Sequence, residues 1–186
     1  CACGTSYHAA LTASYLFERL AKVRTKVEVA SEFRYRKPYL NKNSLFIVIS
    51  QSGETADTLE ALRIAKEAGL KTLAICNVDN SSIVRLADNT LLTRAGIEKG
   101  VASTKAFATQ IIVLWMLVLQ MASAKGSISK KELDHEIKTL LHIPQILNID
   151  NSLQEKLHRL SKHYLHGHGF FFIGRDIFYP LALEGA

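Results

Sequence analysis

Ser50-Gln51-Ser52-Gly53-Glu54-Thr55 puts three hydroxyls, an amide and a carboxylate into one short turn. The apolar run Leu45–Ile49 precedes it and has the character of a strand. Ala56–Ala68 follows, with Leu59, Leu62, Ala65 and Ala68 at helical spacing and Gly69 as the stop. A polar turn there faces the unpaired N–H groups and the positive end of a helix dipole, which is where an anion fits. Gly53 lets backbone approach a ligand closely. The turn contains no lysine and lacks nucleotide P-loop spacing, so the expected anion is a sugar phosphate rather than a triphosphate. The plain alternative is capping, with Ser52 as N-cap and Thr55 in the first turn. Capping explains one hydroxyl, not three plus Gln51.

Two further stretches offer the same chemistry. Cys3-Gly4-Thr5-Ser6 lies between a short strand, Cys1-Ala2-Cys3, and a helical pattern from Tyr7 to about Lys22. It lacks the triple glycine of a dinucleotide fingerprint. The loop Ala95–Thr104 contains Glu98-Lys99-Gly100-Val101-Ala102-Ser103-Thr104 and precedes an apolar helix from about Ala106 to Ala122. Ser103 or Thr104 serves either as that helix's N-cap or as a group closing over a sugar. Lys105 either meets a phosphate or pairs with Glu98. His135, His142, His158, His163, His166 and His168 are read as solvated or core histidines, because no carboxylate or fixed geometry accompanies them; no metal site is expected.

The elements that must position these loops alternate. Strands are expected at 1–3, 27–29, 45–49, 72–76 and 90–93, with helices between them and a short one at Ile83–Ala87 capped by Ser81-Ser82. Such alternation implies parallel βαβ units with right-handed crossovers. The expected fold class is α/β: a three-layer α/β/α, flavodoxin-like domain with a mainly parallel sheet of about five strands. Ligands bind outside the carboxyl ends of such strands, where the hydroxyl loops lie. The domain is expected over residues 1–124. A polar break at Lys125–Ser129 opens a helical linker region over 125–165, with amphipathic helices at Lys130–Leu147 and Ser152–Tyr164. Phe170–Ile173 reads as another strand, followed by Gly174-Arg175 and a helical start at Tyr179-Pro180. A second domain of similar design is expected to begin at 166–186, with Glu184 on its helix.

The 186 residues are 48% hydrophobic and 22% charged, the balance of a globular protein. The formal charge is +6, but the basic residues are scattered rather than clustered, so a small anion is expected and nucleic acid is not. Three cysteines, two of them one residue apart, make neither a disulfide framework nor a zinc site and point to a reducing, cytoplasmic setting. No signal peptide opens the chain. The apolar run Ile111–Leu119 is too short to span a bilayer and reads as a helix buried in a core or an oligomer interface, so no membrane partner is expected. Both ends are expected to be cut from a longer protein.

Five stretches in order carry a resemblance: Cys3-Gly4-Thr5-Ser6, Ala30-Ser31-Glu32-Phe33-Arg34-Tyr35-Arg36, Ser50 to Thr58, Gly100 to Phe107, and Leu183-Glu184-Gly185-Ala186. Over nearly the whole chain the sequence resembles the glucosamine-6-phosphate synthase family in its sugar isomerase (SIS) region. The resemblance implies that Ser6, Ser50, Gln51, Ser52 and Thr55 bind the phosphate of fructose 6-phosphate. It implies that Cys3, Gly4, Thr5, Val101, Ala102 and Ser103 line the sugar. The implied enzyme transfers ammonia from glutamine to fructose 6-phosphate and isomerises the product to glucosamine 6-phosphate, without a cofactor. Its isomerising base, imine-forming lysine and ring-opening histidine are implied to lie outside this chain. Glu184 is near the site but not catalytic. A glutaminase domain, the rest of a second isomerase domain and a homodimer are further implications, and the piece alone is expected to be inactive.

Two other readings compete. A non-enzymatic sugar-phosphate sensor would pair this domain with a DNA-binding helix-turn-helix, which is not in view. A simple phosphosugar aldose–ketose isomerase needs its own base at the sheet edge, for which Glu54 and Glu98 are the available carboxylates.

Overall fold

A computed structural model of the chain describes residues 1–100 and 103–186. Three parallel strands, β1 (Leu45–Ser50), β2 (Lys71–Cys76) and β3 (Asn89–Leu92), form a sheet in the order β1-β2-β3. The register runs from Leu45 opposite Lys71 to Ser50 opposite Cys76, and Leu73 faces Asn89. Helix α3 (Ala56–Glu67) crosses from β1 to β2, and the short α4 (Ser82–Leu86) from β2 to β3.

Strand alternation sorts the core into two faces. Val48 and Ala74 meet Leu62 of α3 and Ile83 of α4 on one side. Ile49 and Ile75 meet α1 (Gly4–Arg19) and α5 (Lys105–Lys125) on the other, through Ala9, Ala13, Leu114 and Val118. This is the expected three-layer α/β/α arrangement. Both faces of β2 are covered, which is why Thr72–Cys76 is buried throughout. A helical turn that sequence reasoning missed, α2 (Ala30–Phe33), packs Ala30 and Phe33 against Ala61 of α3.

The sheet has three strands among the described residues, not five. Residues 1–3 and 27–29 do sit beside it: Ile49 N–H donates to the Cys1 carbonyl at 3.2 Å, and Ala2 and Val29 form a single parallel bridge. Ala2 N–H reaches the Glu28 carbonyl and Ala30 N–H the Ala2 carbonyl. Each stretch turns into a helix within a residue or two of that bridge, so no ladder is long enough to be a strand. The expected strand at Phe170–Ile173 is also absent. Phe171 and Ile173 are 98% and 94% exposed, with no ladder partner among the described residues.

Helix α5 is longer than its apolar run. Its 21 residues, with a mean hydropathy of 1.7 over the most apolar window, would suffice by length and composition to cross a bilayer. It buries Ala106, Gln110, Leu114, Val118, Leu119 and Ala122, of which Leu114, Val118 and Ala122 pack against α1 and the sheet. Gly126, in the left-handed region at φ 66°, ends it. Helix α6 (Lys130–Ile146) opens with a reciprocal capping box between Ser129 and Glu132, and α7 (Asn151–His163) with Asp150 accepting from Leu153 N–H. Neither helix buries a residue fully. The last helix, α8 (Tyr179–Gly185), lies against α1.

Candidate functional site

Strand β1 ends on Ser50, so the turn that follows emerges at the carboxyl edge of the sheet. Ser50 is buried, and its Oγ accepts Gly53 N–H at 3.0 Å while lying 3.3 Å from Thr55 Oγ1. Ser52 Oγ accepts Glu54 N–H at 3.2 Å. The capping reading fails in its particulars: the residue flanking α3 is Thr55 rather than Ser52, and no side chain caps the helix. The turn is folded on itself by two hydroxyls, and the first N–H groups of α3 stay uncapped by side chains.

Gly53 has a packing task that the sequence did not show. Its φ of +68° belongs to the left-handed region, and a Cβ placed on it would fall 2.0 Å from Ser81 Oγ and 2.8 Å from Cys76 Sγ. Its bare Cα makes room for the residues leading into α4.

A cavity of about 220 Å³ opens at this edge. Ser50, Gln51, Ser52 and Thr55 line one wall, and Cys3, Thr5 and Ser6 line another. Ser103 borders it as well, so the three loops converge. Ile49 and Thr58, which sequence reasoning did not single out, complete the lining. Gly4 does not line the cavity; it opens α1 at φ +53° and faces solvent. Val101 and Ala102 lie outside the described residues. A larger groove of about 910 Å³ runs between α1, α5 and residues 23–28 and 36–47, but it gathers aliphatic, aromatic and scattered polar and basic side chains rather than converging hydroxyls.

The two carboxylates considered as bases are occupied elsewhere. Glu54 Oε1 accepts Ser82 N–H at 2.7 Å, and this bond with the Ser82 side chain holds the Glu54 carboxyl below its ordinary range. Glu98 Oε2 accepts Ala106 N–H at 3.2 Å, inside the first turn of α5. Each carboxylate caps a helix that the expected hydroxyls leave uncapped: Ser81 turns its Oγ to Cys76 Sγ, and Thr104 flanks α5 without a side-chain bond. Lys105 does not pair with Glu98; its Nζ donates to the Ile97 carbonyl.

Glu184 reaches the cavity wall from α8. Its Oε1 accepts Thr5 Oγ1–H at 2.7 Å, and its Oε2 lies 2.6 Å from His8 Nδ1. His8 carried no sequence signal apart from lying one turn after Gly4. Behind the other hydroxyl of this loop, Gln110 of α5 donates from Nε2 to Ser6 Oγ at 3.0 Å. The six histidines at positions 135 to 168 are all exposed, and no metal-holding group of three ligands occurs among the described residues.

The SIS domain family model matches residues 1–120. The chain belongs to the SIS domain family. Its relatives narrow the likeness further. It is 70% identical over its whole length to the glutamine–fructose-6-phosphate aminotransferase (isomerizing) of Campylobacter jejuni, covering 30% of that protein. It is 56% identical to the Helicobacter pylori protein of the same name, covering 31%. Among solved structures, the C-terminal domain of glucosamine-fructose-6-phosphate aminotransferase from Francisella tularensis superposes on the whole chain with a TM-score of 0.96 at 44% identity, and the chain spans 52% of it. A glucosamine-6-phosphate deaminase from Thermotoga maritima follows at a TM-score of 0.73 and 26% identity. This SIS chain thus spans about a third of the length of the aminotransferases it matches.

Proposed function

We propose that this chain is the sugar-phosphate-binding part of the isomerase region of a glutamine–fructose-6-phosphate aminotransferase. The full protein would convert fructose 6-phosphate and glutamine to glucosamine 6-phosphate and glutamate. The observation that carries this reading is the convergence of the Ser50–Thr55 turn, the first turn of α1 and Ser103 on one cavity whose hydroxyls are not spent on capping. Ser6, Ser50, Gln51, Ser52 and Thr55 bind the phosphate, with the uncapped N–H groups of α3 adding to the field. Cys3, Thr5 and Ser103 contact the sugar, and Val101 and Ala102 are assigned to the same sugar subsite.

Proton transfer and imine formation are assigned to no residue of this chain, so it binds without turning over. We assign residues 1–124 to a first SIS domain, 125–165 to a helical linker region and 166–186 to the beginning of a second SIS domain. A glutaminase domain and the rest of the second domain belong to the same protein. The protein works as a homodimer in the cytoplasm. The aldose–ketose isomerase alternative is weakened by the engagement of Glu54 and Glu98 in helix caps.

Amide-shift titration with fructose 6-phosphate tests the reading, with fructose and inorganic phosphate as controls. Shifts at Thr5, Ser6, Ser50–Thr55 and Ser103 that are larger with the sugar phosphate support it. A folded sample without shifts there, together with a full-length gene product that makes no glucosamine 6-phosphate, overturns it.

A further inference from the structure

We infer that Gln110 is a positioning residue that fixes the polarity of the Ser6 hydroxyl, so that Ser6 presents its proton to the ligand. The inference rests on the sugar-phosphate reading of the cavity. Gln110 is 1% exposed and Ser6 8% exposed, and they meet across 104 residues of chain. A serine hydroxyl has one proton and two acceptor sites. Gln110 Nε2–H, at 3.0 Å, occupies an acceptor site of Ser6 Oγ. The Ser6 proton is therefore not directed at Gln110. Ser6 also borders the cavity, where an anionic oxygen is the strongest acceptor available to that proton.

The orientation of the amide follows from its surroundings. Gln110 Oε1 has no partner among the described residues. Exchanging the two amide atoms would put the –NH₂ group at that partnerless position and turn Ser6 into a donor towards Gln110. A buried N–H left without a partner is a rarer and costlier fault than an under-satisfied carbonyl. Gln110 is also out of place by composition. It is a buried polar side chain on the face of α5 that otherwise carries Ala106, Leu114, Val118 and Ala122. Packing alone would be served better by methionine or leucine at this position. The amide stands where it touches Ser6 in the first turn of α1.

The test is a double-mutant cycle in the full-length gene product: wild type, Gln110→Met, Ser6→Ala and the double variant, each titrated with fructose 6-phosphate and with inorganic phosphate. Methionine keeps the length and removes the donor. Gln110→Met should weaken fructose 6-phosphate binding by up to roughly ten-fold, less than Ser6→Ala, which deletes the hydrogen bond to the charged group itself. In the Ser6→Ala background the same change should have no effect. An equal loss in both backgrounds, or no loss in either, overturns the inference and leaves Gln110 as a packing residue. If coupling appears with inorganic phosphate but hexose phosphate is not preferred, the sugar reading fails and the Gln110 assignment stands. If wild type binds neither anion, both fail. Should Gln110→Met not fold, Gln110→Glu replaces it. Its carboxylate accepts the Ser6 proton and repels the anion, so affinity should fall further than ten-fold at neutral pH. Affinity should recover on acidification relative to wild type followed in parallel, a pH response that a packing defect would not give.

Discussion

Replacing Gly53 by alanine probes how the cavity loop is held. The new Cβ would stand 2.0 Å from Ser81 Oγ, 2.5 Å from Ser81 Cβ and 2.8 Å from Cys76 Sγ. Two costs add. A non-glycine residue held in the left-handed region costs about 1–2 kcal/mol, and forcing atoms into a filled site costs about 1–3 kcal/mol. The sum, about 2–5 kcal/mol, corresponds to a fall in Tm of about 4–20 °C for a domain of this size. Urea unfolding followed by circular dichroism measures it. Gly53→Ala/Ser81→Gly separates the two parts, since glycine at Ser81 removes both closest atoms and costs only a few tenths of a kcal/mol at an N-cap position. The double variant should regain the steric part and keep the backbone part. A Gly53→Ala protein as stable as wild type, or one that Ser81→Gly does not improve, would refute the account of this glycine.

Other perturbations have equally definite outcomes. Ser50→Ala leaves the buried Gly53 N–H without its acceptor, which costs about 1–3 kcal/mol, and it should weaken fructose 6-phosphate binding in a calorimetric titration. Leu62→Ala empties a fully buried site between α3 and the sheet and should lower stability by about 2–5 kcal/mol in urea unfolding. Asp88 is held down to about 2 by Lys66 Nζ and by the N–H and hydroxyl of Thr72. Its folded value lies below the ordinary 3.8, so its contribution is present above that value and lost as pH falls towards about 2. Asp88→Asn should therefore lower stability at neutral pH and flatten the acid limb of a Tm-versus-pH curve. Glu54→Gln in the full-length protein should keep isomerisation while loosening α4, seen as faster amide exchange at Ser82; abolished isomerisation with intact binding would restore Glu54 as a base.

The layers were legible in the sequence because periodicity carries them. The run Leu45–Ile49 and the helical spacing of Leu59, Leu62 and Ala65 fix β1 and α3, and the cavity loop sits between them. The sheet's width was not legible. Residues 1–3 and 27–29 have strand composition, but pairing extends over a single bridge before each turns helical, and composition does not encode ladder length. Phe170–Ile173 fails for the opposite reason: apolar residues make a strand only where a partner edge exists. At the site, hydroxyl types and spacing identified the walls. The capping was misread because the caps come from carboxylates distant in sequence: Glu54 on α4 across 28 residues and Glu98 on α5 across 8. Gln110 and His8 gave no signal, since each acts through a contact made only by the tertiary fold.

The cavity draws its walls from Cys3 to Ser103, with Glu184 bracing Thr5 from farther along the chain. No hairpin or helix pair owns it, so no partly unfolded species that releases one of these segments retains it. Occupancy therefore reports on the cooperative whole. A bound anion should slow amide exchange in the Ser6 and Ser50 loops by the same factor, and saturation should raise the global unfolding free energy by RT ln(1 + [L]/Kd) rather than stiffening one loop. Mutations on the far side of the sheet should then weaken apparent affinity once they populate the unfolded state, with every contact to the ligand intact.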